Sequence, residues 1–200
     1  MNETAAKPAG LRERKRVETR RRILDVGLKL FVAKGYEATT LDDIAEAAGI
    51  SRRTFFSYFD SKDEILTAYV DGFVSELKDL VGECASLGTP LEVVAAALSK
   101  LVALRESEIV TTARIMRESA GLRARNQGKF LRLEQAIFDG LCEVWPDDAK
   151  RDRWRFTAMM SAGTLRFAVE AWGRQNGKPP LAVQIQNMFQ KLQDAIRENL

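Results

Sequence analysis

The apolar residues of the N-terminal part of the chain recur at the spacing of an amphipathic helix. In the first such stretch they follow offsets 0, 3, 4, 7 and 8, at Ile23, Val26, Gly27, Leu30 and Phe31. Glycine is common just beyond the end of a helix, and Gly35 ends this run. The pattern therefore predicts a first helix that turns one apolar face toward a core.

Three further patterns follow, each opened by a hydroxyl residue that can cap a helix. The second helix follows Thr39 and Thr40 and ends at Gly49. Ser51 can cap a third helix over 52–58, and Ser61 a fourth, whose apolar stripe continues toward residue 80. The sequence predicts a small three-helix unit that runs into a longer fourth helix.

The rest of the chain predicts a larger helical bundle. Breaks at Gly88–Pro90, Gly121, Pro146 and Gly177–Pro180 separate helical patterns near 91–105, 108–120, 123–145, 150–174 and 181–198. The alternating pattern of a strand is absent from the sequence, so the predicted fold is all-α. The predicted domains are a flexible basic arm (1–16), a small helical domain (17–65) and a larger helical domain (66–200).

Composition narrows the range of functions. The sequence has neither an apolar run long enough to cross a membrane nor an apolar leader, so we expect a cytoplasmic chain without a membrane partner. Histidine is absent, and with it the usual general base and the commonest metal ligand. Cys84 and Cys142 lie in apolar helical patterns and are expected to be buried thiols. We expect no cofactor, no metal and no enzymatic activity.

The positive charge is concentrated near the N-terminus. Residues 1–60 carry twelve Lys or Arg against nine Asp or Glu, while residues 61–200 carry nineteen of each. The densest run, Arg12 to Arg22, has seven cations against Glu13 and Glu18. Such a cluster favours a polyanionic partner, although basic tails are also often simply solvated.

Two short helices joined by a glycine-containing turn indicate a helix-turn-helix, whose second helix lies in the DNA major groove. On that helix Phe55 and Phe59 are predicted to face the core. Arg52 and Arg53 would then reach base edges, and Phe56 a thymine methyl or a sugar. The predicted phosphate contacts are Thr40, Ser51, Thr54, Tyr58 and Lys62. The alternative is a helical hairpin with both arginines solvated, which explains neither the short helix pair nor the charge excess.

The same region resembles the DNA-binding domain of the TetR family of bacterial transcriptional regulators. The resemblance rests on RRILDVGLKLFVAKGY, ATTLDDIAEAAGIS and TFFSYFDSKDEIL, in register over nearly fifty residues, and it ends near residue 75. It implies an all-helical homodimer, usually a repressor that a small molecule bound to the C-terminal domain releases from its operator. The family commonly has tyrosine where this chain has Phe56, so one hydroxyl contact to phosphate is expected to be missing.

The C-terminal patterns predict a ligand pocket lined by methionine and aromatic side chains. The predicted lining residues are Met116, Phe130, Phe138, Met160, Arg166, Phe167 and Trp172. The alternative is that the apolar members are core residues. Arg166 has two interpretations: an ion pair with Glu170, four residues on, or an anchor for the acidic head of an amphipathic ligand.

These observations predict a homodimeric repressor that binds a near-palindromic DNA operator and is released by a small apolar or amphipathic effector. Residues 17–65 are then the helix-turn-helix DNA-binding domain, and residues 66–200 the ligand-binding and dimerisation domain. The first alternative is a regulator of the same fold whose C-terminal bundle serves only dimerisation or partner binding. An enzyme in the C-terminal bundle is the second, and without histidine or paired carboxylates it has no evident acid, base or metal centre.

Overall fold

The computed structural model describes residues 10–118, 122, 128–175 and 177–198, and within these residues it contains helices and no strand. The predicted all-α fold is confirmed. The helices are α1 (Leu11–Lys34), α2 (Leu41–Ala47), α3 (Arg52–Phe56), α4 (Lys62–Glu83), α5 (Pro90–Glu118), α6 (Gly128–Val144), α7 (Arg151–Arg174) and α8 (Leu181–Glu198). None of these helices is long and apolar enough to span a membrane.

The chain divides into two compact units, and the division falls between Ala68 and Tyr69 within α4. The first unit contains α1 to α3 and the start of α4. Its core is formed by fully buried aliphatic and aromatic side chains, among them Ile23, Phe31, Ile44, Phe55, Phe59, Ile65 and Leu66. The apolar positions predicted for α1 and α2 therefore do face a core.

Close packing of α1 on the start of α4 requires a glycine. A Cβ atom on Gly27 would lie 2.8 Å from Cδ1 of Ile65, which is itself fully buried. The two helices can therefore approach to this distance only where one of them has no side chain.

The second unit contains the remainder of α4 and α5 to α8. Its core draws on every one of these helices, through residues such as Leu77, Val94, Ile137, Ala158 and Ile185. The last helix belongs to this core through Leu181, Ile185 and Phe189, all at most 2% exposed.

Two predicted boundaries differ from the structure. Helix α1 begins at Leu11, so residues 11–16, predicted as part of a flexible arm, are helical, since Leu, Arg, Glu and Lys are strong helix formers. The break predicted between 105 and 108 is present as a kink within α5, where the backbone of Arg105 is not helical (φ −127°, ψ 22°). Helix α3 ends at Phe56 rather than Tyr58. The predicted break at Gly121 lies outside the described residues.

Candidate DNA interface and ligand cavity

Two buried phenylalanines fix the orientation of α3. Phe55 and Phe59 are 0% and 1% exposed, and their ring centroids lie 5.9 Å apart. The guanidinium of Arg20 covers the Phe59 ring at 5.1 Å. Gly49, in the turn between α2 and α3, has φ 65°, a conformation that glycine adopts without strain. The aromatic residues thus anchor α3, as the sequence predicts.

The opposite side of α3 is exposed. Arg53 is exposed and forms no ion pair or hydrogen bond with any described residue, and Phe56 is 46% exposed. Arg52 is exposed too, but its Nη1 lies 3.2 Å from Oδ2 of Asp42 and its guanidinium 5.9 Å from the Phe56 ring. Both partners of that ion pair are well solvated, so it costs little to break. The half-buried Tyr58 follows on the next turn.

The hydroxyl residues before α2 and α3 act as helix caps. Thr40 Oγ1 accepts from the backbone N–H of Asp43 at 3.1 Å and donates to Asp43 Oδ2 at 2.8 Å. Ser51 Oγ accepts from the backbone N–H of Thr54 at 3.0 Å and lies 2.8 Å from Thr54 Oγ1. The single O–H donor of Thr40 is therefore engaged within α2, whereas the Ser51 and Thr54 pair retains one O–H for an outside acceptor.

Asp43 completes the cap of α2 and joins it to α1. Lys34 Nζ lies 2.7 Å from Asp43 Oδ1, and the backbone N–H of Thr40 donates to Oδ2 at 2.9 Å. The hydrogen bond from Lys34, followed by those from the backbone and the side chain of Thr40, holds the pKa of Asp43 well below its usual range.

The ammonium of Lys62 is directed into the protein rather than toward a free surface. Lys62 Nζ donates to the backbone carbonyls of Tyr36, Glu37 and Thr39 at 2.7, 3.3 and 3.0 Å. It also lies 4.4 Å from the centroid of the Tyr36 ring, and the Tyr36 hydroxyl donates to Asp63. An ammonium has three N–H donors, so the structure leaves Lys62 none for the phosphate contact that the sequence suggested.

Only some of the cations between Arg12 and Arg22 on α1 are free to contact a partner. Arg22 Nε donates to the carbonyl of Ala48 at 3.0 Å, which joins α1 to the end of α2, and Arg20 covers Phe59. Arg12, Lys15 and Arg16 are exposed on the first turns of α1. The cations nearest the N-terminus therefore remain open to a polyanion, while the later ones stabilise the fold.

The second unit contains a partly open apolar cavity of ≈ 80 Å³ between α4, α5, α6, α7 and α8, which we call the inner cavity. Met116 and Phe130, two of the predicted ligand residues, line it. Both also line a neighbouring open cleft of ≈ 1000 Å³, the outer cleft, to which Arg166 and Trp172 contribute. Four of the seven predicted ligand residues therefore border one of these two spaces.

The other three predicted ligand residues lie elsewhere. Phe138 is 5% exposed and is covered by the guanidinium of Arg155 at 3.7 Å, so it is a core residue. Met160 and Phe167, 39% and 53% exposed, line a groove on the outer surface of α7 and α8. The sequence assigned them to the pocket because helical spacing identifies an apolar face without saying what covers it.

Arg166 is exposed and makes no ion pair with Glu170 or with any other described residue. It lines the outer cleft together with Glu170. The ion-pair interpretation is therefore wrong for this structure, and the anchor interpretation stays a prediction. Met160 and Phe167 do not line this cleft but the groove on the outer surface of α7 and α8.

Sequence reasoning missed Lys129, which lines both the inner cavity and the outer cleft. Its neighbour Phe130 was named because aromatic residues suggest an apolar pocket. A single lysine in a sequence with 31 Lys or Arg residues carries no signal of its own.

Comparison with known proteins agrees with this geometry. Residues 23–69, which comprise most of the first unit, match the model of the family described as bacterial regulatory proteins, tetR family. The chain is 42% identical over 73 residues to the HTH-type transcriptional regulator TcmR of Streptomyces glaucescens, covering 34% of this chain and 32% of that protein.

A second relative matches over a longer segment. The chain is 36% identical over 104 residues to the putative mycofactocin biosynthesis transcriptional regulator MftR of Mycobacterium tuberculosis, covering 52% of each protein. The matched segments thus span from about a third to half the length of these relatives. Both are named transcriptional regulators, in agreement with the expectation that the chain is not an enzyme.

Solved structures show the fold over most of the chain. FadR of Thermus thermophilus, a TetR-family repressor in complex with lauroyl-CoA, aligns with a TM-score of 0.56 at 23% identity, covering 86% of this chain and 91% of that one. A SmeT–triclosan complex aligns with a TM-score of 0.57 at 19% identity, covering 86% and 90%. The N-terminal region is therefore similar to the TetR family of bacterial regulatory proteins, and the all-helical fold of most of the chain is that of these solved structures.

Proposed function

We propose that this protein is a homodimeric transcriptional repressor that binds a near-palindromic DNA operator through α3 and is released by a small apolar or amphipathic ligand in its second unit. Such a regulator acts in the cytoplasm, where bacterial DNA is found. The observation that carries the proposal is the division of α3 into a buried aromatic side and an exposed side bearing Arg53 and Phe56.

The exposed side of α3 has the chemistry of a base-reading surface. Arginine can donate two hydrogen bonds to O6 and N7 of guanine, and an exposed phenylalanine can contact a thymine methyl. Arg53 has no competing partner among the described residues, whereas Arg52 must first leave Asp42. We therefore assign the main base contact to Arg53 and a secondary one to Arg52, with Tyr58, Thr54 and Ser51 toward the phosphates.

A dimer is supported by the outer surface of α7 and α8. The groove there has a volume of ≈ 380 Å³ and is lined largely by apolar side chains, including Met160, Phe167, Met188 and Leu192. A Cβ atom on Gly163, in the same groove, would meet no atom within 4 Å, so the centre of the surface is open. Exposed apolar patches of this kind are typical of protein interfaces.

A two-fold dimer predicts the form of the operator. Its two α3 helices would enter successive major grooves about 34–36 Å apart, or a multiple of this distance, so the two half-sites would be inverted copies.

Ligand release is supported by the inner cavity and the outer cleft. Two proteins of the same fold, FadR and SmeT, have been solved in complex with lauroyl-CoA and triclosan. The alternative, a regulator that senses no ligand, predicts that no apolar or amphipathic compound raises the melting temperature. A ligand that binds the folded state must raise it by mass action.

The DNA proposal is tested by selecting DNA with the purified protein, sequencing it, and measuring Arg53→Ala on the selected site and on random DNA. We expect a loss of about 1–3 kcal/mol on the selected site, relaxed preference at one base pair and a small change on random DNA. Arg114→Ala removes the same charge from an exposed position on α5 and should leave the base preference intact. Equal losses on selected and random DNA for Arg53→Ala would contradict the assignment.

A further inference from the structure

The inner cavity has one cationic group in its wall. Its other lining residues are apolar apart from Thr112, and they come from all five helices of the second unit, for example Phe73, Leu101, Leu133 and Ile185. Lys129, the second residue of α6, lines both this cavity and the outer cleft. The Lys129 side chain therefore borders both an apolar cavity and a cleft that is open to solvent.

The neighbours of Lys129 stabilise its charge only weakly. Its Nζ lies 3.8 Å from Sδ of Met116 and 4.9 Å from the ring centroid of Phe130. No carboxylate pairs with it among the described residues. A thioether is a weak acceptor, and burial lowers the pKa of the Lys129 ammonium. A partly buried charge ordinarily has a partner of opposite sign, and no described residue supplies one for Lys129.

We infer that Lys129 holds the anionic head of an amphipathic organic acid, with a short apolar end of the ligand in the inner cavity and the rest in the outer cleft. The inference rests on the proposed ligand-responsive function and specifies its ligand class. A bound carboxylate would provide the missing counter-charge through a charge-assisted hydrogen bond, which a neutral ligand cannot do and an ammonium ligand would oppose.

The sizes of the two spaces constrain the ligand. The inner cavity, ≈ 80 Å³, is about half the size of an apolar protein cavity of about 150 Å³ that admits benzene, so it holds only a short aliphatic end. The outer cleft, ≈ 1000 Å³, accommodates a longer remainder. Arg117, Arg166 and Arg174 border the cleft against Glu134 and Glu170, and this excess of cations also favours an anionic ligand.

Whether the Lys129 ammonium has a stabilising partner in the protein is tested first, without a ligand. Lys129→Met keeps the length of the side chain and removes a charge that lacks a partner, so we expect a melting temperature equal to or above that of the unaltered protein. Lys29→Met, at an exposed position on α1, is the matched control and should change the melting temperature little. A clear fall for Lys129→Met alone would show that the ammonium has a stabilising partner, and would overturn the inference.

The ligand class is tested with hexanoate and octanoate against the alcohols and amines of the same chain lengths, by calorimetric titration of the full chain at neutral pH. We expect the acids to bind more tightly than the alcohols, and the amines most weakly. Lys129→Met should lower the affinity for the acids by at least about thirtyfold and leave the affinity for the alcohols nearly unchanged. Lys129→Arg, which keeps the charge, should retain the preference for acids.

The outcomes separate the inference from the proposed function. If alcohols bind and release DNA while acids bind no better, or if acids bind the unaltered protein and Lys129→Met equally, the anionic ligand class is wrong and ligand control stands. If neither acids nor alcohols bind or release DNA, both the anionic class and ligand control by such compounds are refuted.

Discussion

Lys62 donates to three backbone carbonyls of the loop between α1 and α2 and lies over the ring of Tyr36. The carbonyls of Tyr36, Glu37 and Thr39 all face one ammonium because the chain turns sharply between Gly35 and Thr40. A lysine beside a reading helix is an obvious candidate for a phosphate contact. The geometry instead makes it a residue that positions the start of α2.

Replacing Lys62 by methionine should therefore loosen this loop. The lost hydrogen bonds to a charged donor, partly replaced by water at this half-buried position, should cost about 1–2 kcal/mol of local stability. Amide hydrogen exchange over residues 36–43 of the full chain should accelerate by roughly five- to thirtyfold, since 1.4 kcal/mol is about tenfold. Lys29→Met should leave exchange there unchanged.

The salt dependence of DNA binding provides a second measurement on the same variant. A residue that only positions α2 leaves the slope of log affinity against log salt unchanged. A slope reduced by roughly one unit, with unaltered exchange, would instead establish a direct contact of Lys62 with phosphate.

Helices α2 and α3 are too short to be stable alone, so their ends determine whether they form. The sequence predicted both starts, because Thr40 and Ser51 are preferred cap residues and Asp43 occupies the third position of α2. Thr40 and Ser51 were also assigned to DNA contacts, since a hydroxyl suits a cap and a phosphate equally. Only the folded structure shows which acceptor or donor is within reach.

Asp43 makes the stability of α2 dependent on pH. Its pKa is lower in the folded state than in the unfolded chain, so its ionised form stabilises the fold. This contribution is complete above the unfolded pKa, about 4, and is lost as pH falls below that value. Asp43→Asn should therefore have a lower melting temperature than the unaltered protein at pH 7, and the difference between the two melting temperatures should narrow by pH 3. A difference that stays constant over this range would contradict the role of the carboxylate.

In the whole molecule, the apolar stripes of α7 and α8 were predictable from helical spacing, but the division of their residues between interior and surface was not. Phe189 on α8 and Phe167 on α7 have the same side chain, and the first is buried while the second is half exposed. Their positions depend on how several helices pack together, which a single helical pattern does not contain. The same reason explains why Lys129 was missed, since its burial results from the packing of α5, α6 and α7.

The dimer proposal is tested by Phe167→Glu. A carboxylate at the centre of an apolar interface would be buried without a partner, and we expect the dimer dissociation constant to rise at least about a hundredfold in sedimentation. The helix content should not change, since Phe167 is 53% exposed. Leu104→Glu, at another exposed apolar position, on α5, is the control and should remain dimeric. A Phe167→Glu variant that sediments as a dimer would exclude this surface.

Deleting α8 would not test the interface, because Leu181, Ile185 and Phe189 belong to the core of the second unit. A shortened chain would lose its fold before it could report on association.

The two sides of α3 have a consequence for how regulators of this kind diversify. Phe55 and Phe59 hold the helix in place, whereas Arg53 forms no ion pair or hydrogen bond with a described residue and Phe56 is 46% exposed, with the Phe55 ring and the Arg52 guanidinium beside it. Substitutions at exposed positions usually change stability by no more than about 0.5 kcal/mol. Under the proposed function, gene duplicates can therefore acquire new operator preferences by single mutations at these two positions while the protein stays folded, and a designer can vary the same positions in a library of folded variants.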